Sequence, residues 1–442
     1  MSKRLIAVLA LALVAGLAFA PAYAEVQNVK VSGDILVSGV ARQHFNLAAG
    51  PSGDKANIDQ SFIMSQVRVR IDADLTDNVM ATVRLINERV WNGQNDTSSN
   101  GNGNIDLDLA YVTLKEFLYS PLTLTIGRQE MRFGNGLIIG NAKLASGVVN
   151  IPTDLTERKA FDAIRATLNY DPLVVDLVYA KVKQADTTRN NTIYLAGVNA
   201  TYAVNKDTDV SVYYFNKRDN DGGGSNSNGK PDQVNTLGAL ASTKIMGIKA
   251  SLEGAYQLGK NDTSNTNATR HDAWAIQGML DYTFDKVKMT PTVGGSFTYL
   301  SGDETDASRN GNWDPMFYDQ KLNNIAYTIL PFTNMAVYNL RASCKPVEDV
   351  TLSAVYGYYN QAKTTNDTLT SPFLRNGSDT YFTNAQLSGK NHLGDALDVT
   401  ATYDYTEDVQ FGLTAGWFIP GKAFAIDKRD ATQLIGSMKV VF

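Results

Sequence analysis

Within residues 122–140, LTLTIGRQEMRFGNGLIIG, three ionisable side chains recur at every second position: Arg128, Glu130 and Arg132. A guanidinium grips a carboxylate or phosphate through paired N–H donors, and a row of such groups along a wet wall selects passing solutes by charge. Counting parity along the whole chain turns Asp34, Arg42, Arg68, Arg70, Arg84, Glu88, Asp106, Asp108, Arg165, Asp176, Glu253, Asp281, Arg341 and Asp398 to that same side. Both signs are present, so part of the set is expected to pair within itself and hold a wall in shape. Arg128, Arg132 and Arg165 flank the longest apolar-tipped connection and are the leading candidates for a constriction.

Bond-breaking chemistry has little material to work with. The histidines are His44, His271 and His392, all near strand ends or connections, and none has a partner pattern for a Ser-His-Asp site or metal ligation. No cofactor is implied. The acidic run GDETDASRNGNWD, 302–314, offers Asp303, Asp306 and Asp314 but lacks the fixed ligand spacing of a calcium loop, and a solvated external connection is the expectation. The single cysteine, Cys344, cannot form an internal disulfide and reads as a small apolar side chain.

The elements that position these side chains are strands. Leu122, Leu124 and Ile126 alternate with Thr123, Thr125 and Gly127, the two-residue period of a strand whose faces meet different surroundings. An Arg facing lipid at mid-depth costs roughly 2–4 kcal/mol, so charges cannot continue the aliphatic face. A bulge near Gly127 is therefore expected, with Arg128, Glu130 and Arg132 directed into a lumen and Met131 and Phe133 outward. After it, residues 134–158 hold the apolar knot Leu137-Ile138-Ile139, which suits a loop folded into a barrel mouth.

The same alternation predicts strands at about 29–46, 62–75, 79–91, 105–116, 122–133, 160–170, 172–184, 192–204, 209–218, 233–245, 247–259, 271–284, 288–300, 335–345, 349–362, 391–404, 409–420 and 429–442. Short turns such as Thr76-Asp77-Asn78, Met246-Gly247 and Asp285-Lys286 alternate with long polar connections, among them 301–334 and 363–390. That rhythm belongs to outer-membrane barrels, which have short periplasmic turns and long external loops. An even count of 18 closes the sheet, and a barrel that wide leaves an aqueous channel.

The chain opens with Lys3-Arg4, an apolar run from Leu5 to Phe19 and Ala22-Tyr23-Ala24, so residues 1–24 read as a secretory signal peptide and 25–442 as the barrel. Removing Lys3 and Arg4 takes the net charge from −5 to −7, which offers nothing to nucleic acid. A mean hydropathy of −0.20 fits strands with one apolar and one polar face. The last strand, Arg429 to Phe442, puts Leu434, Met438, Val440 and Phe442 on one face and ends on an aromatic residue. It resembles the terminal signal read by the barrel-assembly machinery. Outer-membrane lipid and that machinery are the expected partners.

The run GRQEMRFGNGLIIG resembles the strand-and-loop signature of the alginate-export family of outer-membrane barrels. GAYQLGKND at 254–262, AWAIQGMLDYTF at 273–284, SFTYLSGDE at 296–304 and GDALDVTATYDYTEDVQFGLTAGWFIPG at 394–421 fit the same family. The resemblance implies an 18-stranded channel for an anionic polyuronate with arginines at a constriction: Arg128 and Arg132, with Glu130 and Asp398 as counter-charges. The alginate exporter has a long periplasmic plug where this chain has only Thr406-Glu407-Asp408, which argues against a gated exporter. The expected function is therefore an outer-membrane channel for hydrophilic solutes, anionic saccharides among them, or export of a polyuronate such as alginate. A receptor or adhesion scaffold working through its external loops is the alternative.

Overall fold

The computed structural model describes residues 28–45, 47, 59–91, 105–142, 151–152, 154–184, 192–220, 231–261, 269–303, 309–365, 368–369, 375–376, 379–380, 385–424 and 428–442. The expected signal peptide lies outside them, as do Asp306 and nearly half of 363–390.

Eighteen long strands follow the alternating segments of the chain. They are β1 (Asn28–Gln43), β2 (Gln60–Thr76), β3 (Val79–Val90), β4 (Asp106–Leu114), β5 (Leu122–Gln129), β6 (Phe161–Asn169), β7 (Leu173–Gln184), β8 (Thr192–Asn205) and β9 (Thr208–Asp219). The second half comprises β10 (Asp232–Ile245), β11 (Ile248–Asn261), β12 (Thr269–Thr283), β13 (Thr292–Leu300), β14 (Met335–Val347), β15 (Val350–Gln361), β16 (His392–Asp404), β17 (Val409–Pro420) and β18 (Ala431–Val441). Each pairs antiparallel with its neighbour in sequence, and β1 closes on β18 from Asp34↔Val441 to Gln43↔Thr432. The antiparallel cylinder leaves no long strand unpaired on either edge, which is what a hydrocarbon environment demands of backbone N–H and C=O groups. Among the described residues, no helix is long and apolar enough to cross a membrane.

Parity sorts the side chains as the alternation requires. Val31, Ile71, Val83, Val112, Ile126, Ile164, Leu237, Leu252, Leu280, Leu340, Leu413 and Leu434 are exposed on the outer wall, whereas Arg42, Gln66, Arg84, Glu88, Asp176, Glu253, Gln277 and Asp398 are buried on the inner one. Burial is also graded along each strand. In β1 the buried positions cluster near Gln43 and in β8 near Thr192, which are the ends that meet long connections. The bore is filled in its long-loop half and wet in its short-turn half.

The filling comes from two connections that turn inward. Residues 130–142 bring Met131, Phe133, Leu137, Ile138 and Ile139 into the bore; residues 309–334 bring Trp313, Met316, Phe317, Tyr318, Ile325, Ile329 and Phe332, with one short helix, α1 (Asn324–Ile329). The folded-in knot at Leu137–Ile139 agrees with expectation, but 301–334 is not simply an external connection. Its apolar residues outweigh the acidic ones once a half-filled bore offers to bury them.

Three further expectations are corrected. Strand β5 ends at Gln129 rather than continuing to Phe133, and Met131 and Phe133 face the interior, 1% and 8% exposed, instead of the lipid. The bulge lies not at Gly127 but on β4, where pairing shifts between Arg84↔Leu109 and Leu85↔Leu107 and leaves Asp108 as the extra residue. The third concerns the β12–β13 connection, which runs from 284 to 291 because β13 begins only at Thr292.

Gly127 is needed for another reason. Its φ is +126°, and a Cβ there would stand 2.2 Å from the Ala110 carbonyl oxygen and 2.8 Å from the Tyr111 Cα. The variant G127A should therefore lose roughly 1–3 kcal/mol of stability. G39A, whose added carbon meets nothing within 4 Å, serves as the control. Urea unfolding midpoints of the two variants in lipid vesicles check this; equal midpoints would contradict it.

Candidate functional site: the constricted lumen

Long β-branched and aromatic runs build the wall, and the polar parity of β1 to β4 supplies a ladder of charge along it. Arg68 holds Asp34 through two bonds of 2.8 and 3.1 Å and reaches Glu157 at 3.4 Å. Arg70 holds Asp72 at 2.8 and 2.9 Å, and Thr82 donates to the same carboxylate. One rung further, Arg84 bridges Asp108 (2.6 Å) and Glu130. Arg158, from the connection before β6, joins Glu88 (3.0 Å) to Asp106 (2.7 Å), and burial of Arg158 is outweighed by these carboxylates, so its guanidinium is held still more firmly protonated than usual.

Elsewhere Arg42 pairs with buried Asp154 and donates to Gln433 at 2.8 Å. Arg165 pairs with Asp176 (2.8 Å) and lies over the Phe133 ring, and Arg341 pairs with Asp281 (2.9 Å). The expectation that part of the inner charge pairs within itself is met. Among the charges expected at the lumen, only Arg128 is misplaced. The β5 ladder runs without a register shift, so Arg128 shares the parity of Ile126 and Ile164 on the outer wall and meets Asp162 at 3.2 Å. The implied counter-charges also differ: Glu130 serves Arg84, and Asp398 accepts from the Asn324 N–H at the start of α1.

The two inward connections interlock through their backbones. Phe317 accepts from the N–H groups of Gly140 (2.8 Å) and Asn141 (2.9 Å) and donates to Ile138 (3.0 Å), while Asp319 donates to the Gly136 carbonyl at 2.8 Å. At that junction the Asp319 carboxylate receives both Arg132 (2.9 Å) and Lys159 (3.0 Å). Two cations share one half-buried carboxylate, and the Arg132 side chain stays 48% exposed. Part of the Arg132 guanidinium therefore still meets water.

Wall side chains hold this assembly in register. Gln257 of β11 clamps the backbone of Asp314 in both directions (2.7 and 2.9 Å), and Gln277 of β12 exchanges amide bonds with Gln320. Tyr318 stacks on Phe332 with ring centres 4.5 Å apart, and Phe317 meets Phe161 edge-on. Asn323 caps α1 by accepting from the Ala326 N–H. The histidines take structural contacts: His271 meets Asp232 at 2.6 Å, His392 meets Asp395 at 3.0 Å, and His44 Nδ1 lies 3.2 Å from the Asp430 carbonyl.

Lys217 of β9 reaches in to Asp314 at 2.5 Å. Burial alone would raise this carboxyl, but the Lys217 ammonium and the Met316 N–H outweigh it and hold the group below the usual carboxylate range. Sequence parity missed Lys159, Lys217, Asp314 and Asp319 as site residues. The one available signal was the apolar content of 313–332, too high for a loop that stays in water.

Because the folded-state value of Asp314 is depressed, its stabilising share is fully present above the unfolded carboxyl value of about 3.9 and is lost as pH falls below it. Acid titration of the Trp313 fluorescence, in a chain whose other tryptophans are replaced by phenylalanine, should show the 309–334 segment loosening in that window. The transition should be absent from D314N. The same transition in D314N would contradict the latch.

A family model described as alginate export matches residues 41–435. Among solved structures, Pseudomonas aeruginosa OccK11 (OpdR) aligns with a TM-score of 0.57 at 12% identity, covering 94% of this chain and 97% of that one. OccK2 (OpdF) of the same organism, solved in complex with glucuronate, gives 0.56 at 10% identity, over 94% and 99%. OpdK from that organism, solved with vanillate, gives 0.53 at 11%, over 93% and 99%. No curated protein matches the sequence.

Proposed function

Because the chain belongs to the alginate export family of outer-membrane channels, we propose that it passes compact anionic hydrophilic solutes of the sugar-acid class by diffusion, with Arg132 and Lys159 forming the cationic edge of its constriction. The observation that carries this reading is the sharing of Asp319 by two partly exposed cations where the inward connections meet. A carboxylate solute entering there finds donors that Asp319 does not exhaust, since a guanidinium has five N–H groups and an ammonium three. The arginines Arg68, Arg70, Arg84, Arg165 and Arg341, already paired along the wall, shape the path and present their remaining donors to it.

Two comparisons support the solute class without assigning it: OccK2 was solved with glucuronate and OpdK with vanillate, both carboxylates. Passage needs no bond to be made or broken, so the reading is non-enzymatic. Export of an intact polyuronate fits less well, because a chain of linked sugars would have to displace the packed rings of Phe317, Tyr318 and Phe332. Those same rings favour a second reading, a closed barrel acting as a receptor or adhesion scaffold.

Reversal potentials in planar bilayers under a salt gradient separate these outcomes. The wild-type channel should prefer anions, and R132Q/K159Q should move the reversal potential toward zero or the cation side. An unchanged potential would remove these two residues from the constriction, and folded protein without current would favour the receptor.

A further inference from the structure

The outer wall carries a second charged feature that passage of solutes does not use. Reading across the ladders at the long-loop end gives one continuous row of paired positions: Arg128↔Asp162↔Lys181↔Tyr194↔Arg218↔Gln233↔Lys260↔Arg270↔Arg309. Every member has the outward parity, because the flanking residues Phe161, Ala180, Leu195, Phe215, Val234 and His271 are buried inside. Strands lie about 4.8 Å apart, so Arg218 to Arg270 spans roughly 14 Å of the rim. On this face Asp162 is engaged by Arg128, Arg270 (3.3 Å) and Arg309 (3.2 Å) share the single carboxylate of Asp272, and the Arg218 guanidinium donates to the neutral Asn220 amide at 3.1 Å.

The opposite arc of the same rim differs. Its outward positions include Tyr299, Ala336, Asn360, Ile419, Thr432, Ala41 and Ser61, with Asp395 as a carboxylate. Apart from Arg89 on β3, the outward basic residues of these rows fall on the other side. Beneath them comes the mixed row Asn216↔Asn235↔Leu258↔Asp272, and the row below that is apolar and aromatic, with Tyr214, Leu237, Tyr256 and Trp274 all exposed. An amphipathic aromatic belt under a row of cations marks the depth where acyl chains give way to headgroups. The end with long connections is the external one in such barrels, so the lipid that meets this row belongs to the outer leaflet.

We propose that the β9–β12 rim, through Arg218, Lys260, Arg270 and Arg309, is a docking site for a phosphorylated glycolipid of the outer leaflet. Its phosphates lie along the basic row and its acyl chains lie on Leu237, Leu258 and Trp274. Arginine matches phosphate through paired N–H donors, and the one carboxylate of Asp272 orients two of the guanidinia.

Native mass spectrometry of the full protein released from detergent tests this with three probes: bis-phosphorylated lipid A, its dephosphorylated form, and inorganic phosphate as competitor. The wild type should retain the phosphorylated lipid, lose at least about tenfold in affinity for the dephosphorylated one, and be little affected by millimolar phosphate. R218Q/K260Q/R270Q/R309Q should lose the difference between the two lipids, whereas R89Q, outside the β9–β12 row, should keep it. R270Q/R309Q gives an intermediate reading should the fourfold variant fail to fold, and the lipid comparison on wild type needs no variant. Equal retention of both lipids, displacement by inorganic phosphate, or a fourfold variant indistinguishable from wild type would overturn the proposal.

Discussion

Everything in this chain answers to one constraint: a backbone crossing hydrocarbon must satisfy its N–H and C=O groups internally, and strands can do so only by closing on themselves. Closure of β1 on β18 meets it, and the two-residue period then follows for every strand at once. One parity must be apolar, and the other is free to carry charge. The arginines of the wall are tolerated because each finds a carboxylate nearby: on the adjacent strand, as Arg68 does with Asp34, one strand further, as Arg341 does with Asp281, or on an inward connection, as Arg42 does with Asp154. In a confined bore of reduced dielectric, such pairing is what keeps the cost of burying charge down.

Closure at 18 strands creates a second problem, a bore too wide for the wall's own side chains to fill. The molecule solves it only in the half nearest the long connections. There, 130–142 and 309–334 place a dry aromatic and aliphatic mass against the inner wall, stitched by Gln257, Gln277 and the Lys217–Asp314 pair. Near the short turns the inner residues stay partly open to water. The cationic edge proposed to select solutes, where Arg132 and Lys159 meet Asp319, lies in this junction of the two inward connections.

The cylinder was legible in the sequence because alternation is a local property: each segment states its own parity without knowing its neighbours. All eighteen strands and the inward placement of Arg68, Arg70, Arg84, Arg165 and Arg341 follow from it. Parity fails where the ladder itself stops or slips. Strand β5 ends at Gln129, whose amide donates to the carbonyls of Thr125, Gly127 and Ala163, so Met131 and Phe133 leave the wall and turn inward. The bulge at Asp108 sits one strand away from the glycine that seemed to call for it. Asp319 and Lys159 lie 160 residues apart and meet only because two connections share one bore, a non-local fact that no period records.

The packed half of the lumen is the claim on which the functional account turns, and single-channel conductance measures it directly. Wild-type protein should pass a small current. Replacing residues 310–332 with a short Gly-Ser bridge should raise it several-fold toward that of an open barrel of this strand number. A wild-type conductance already as large as that of the bridged variant would contradict an account in which the barrel's own connections narrow the bore.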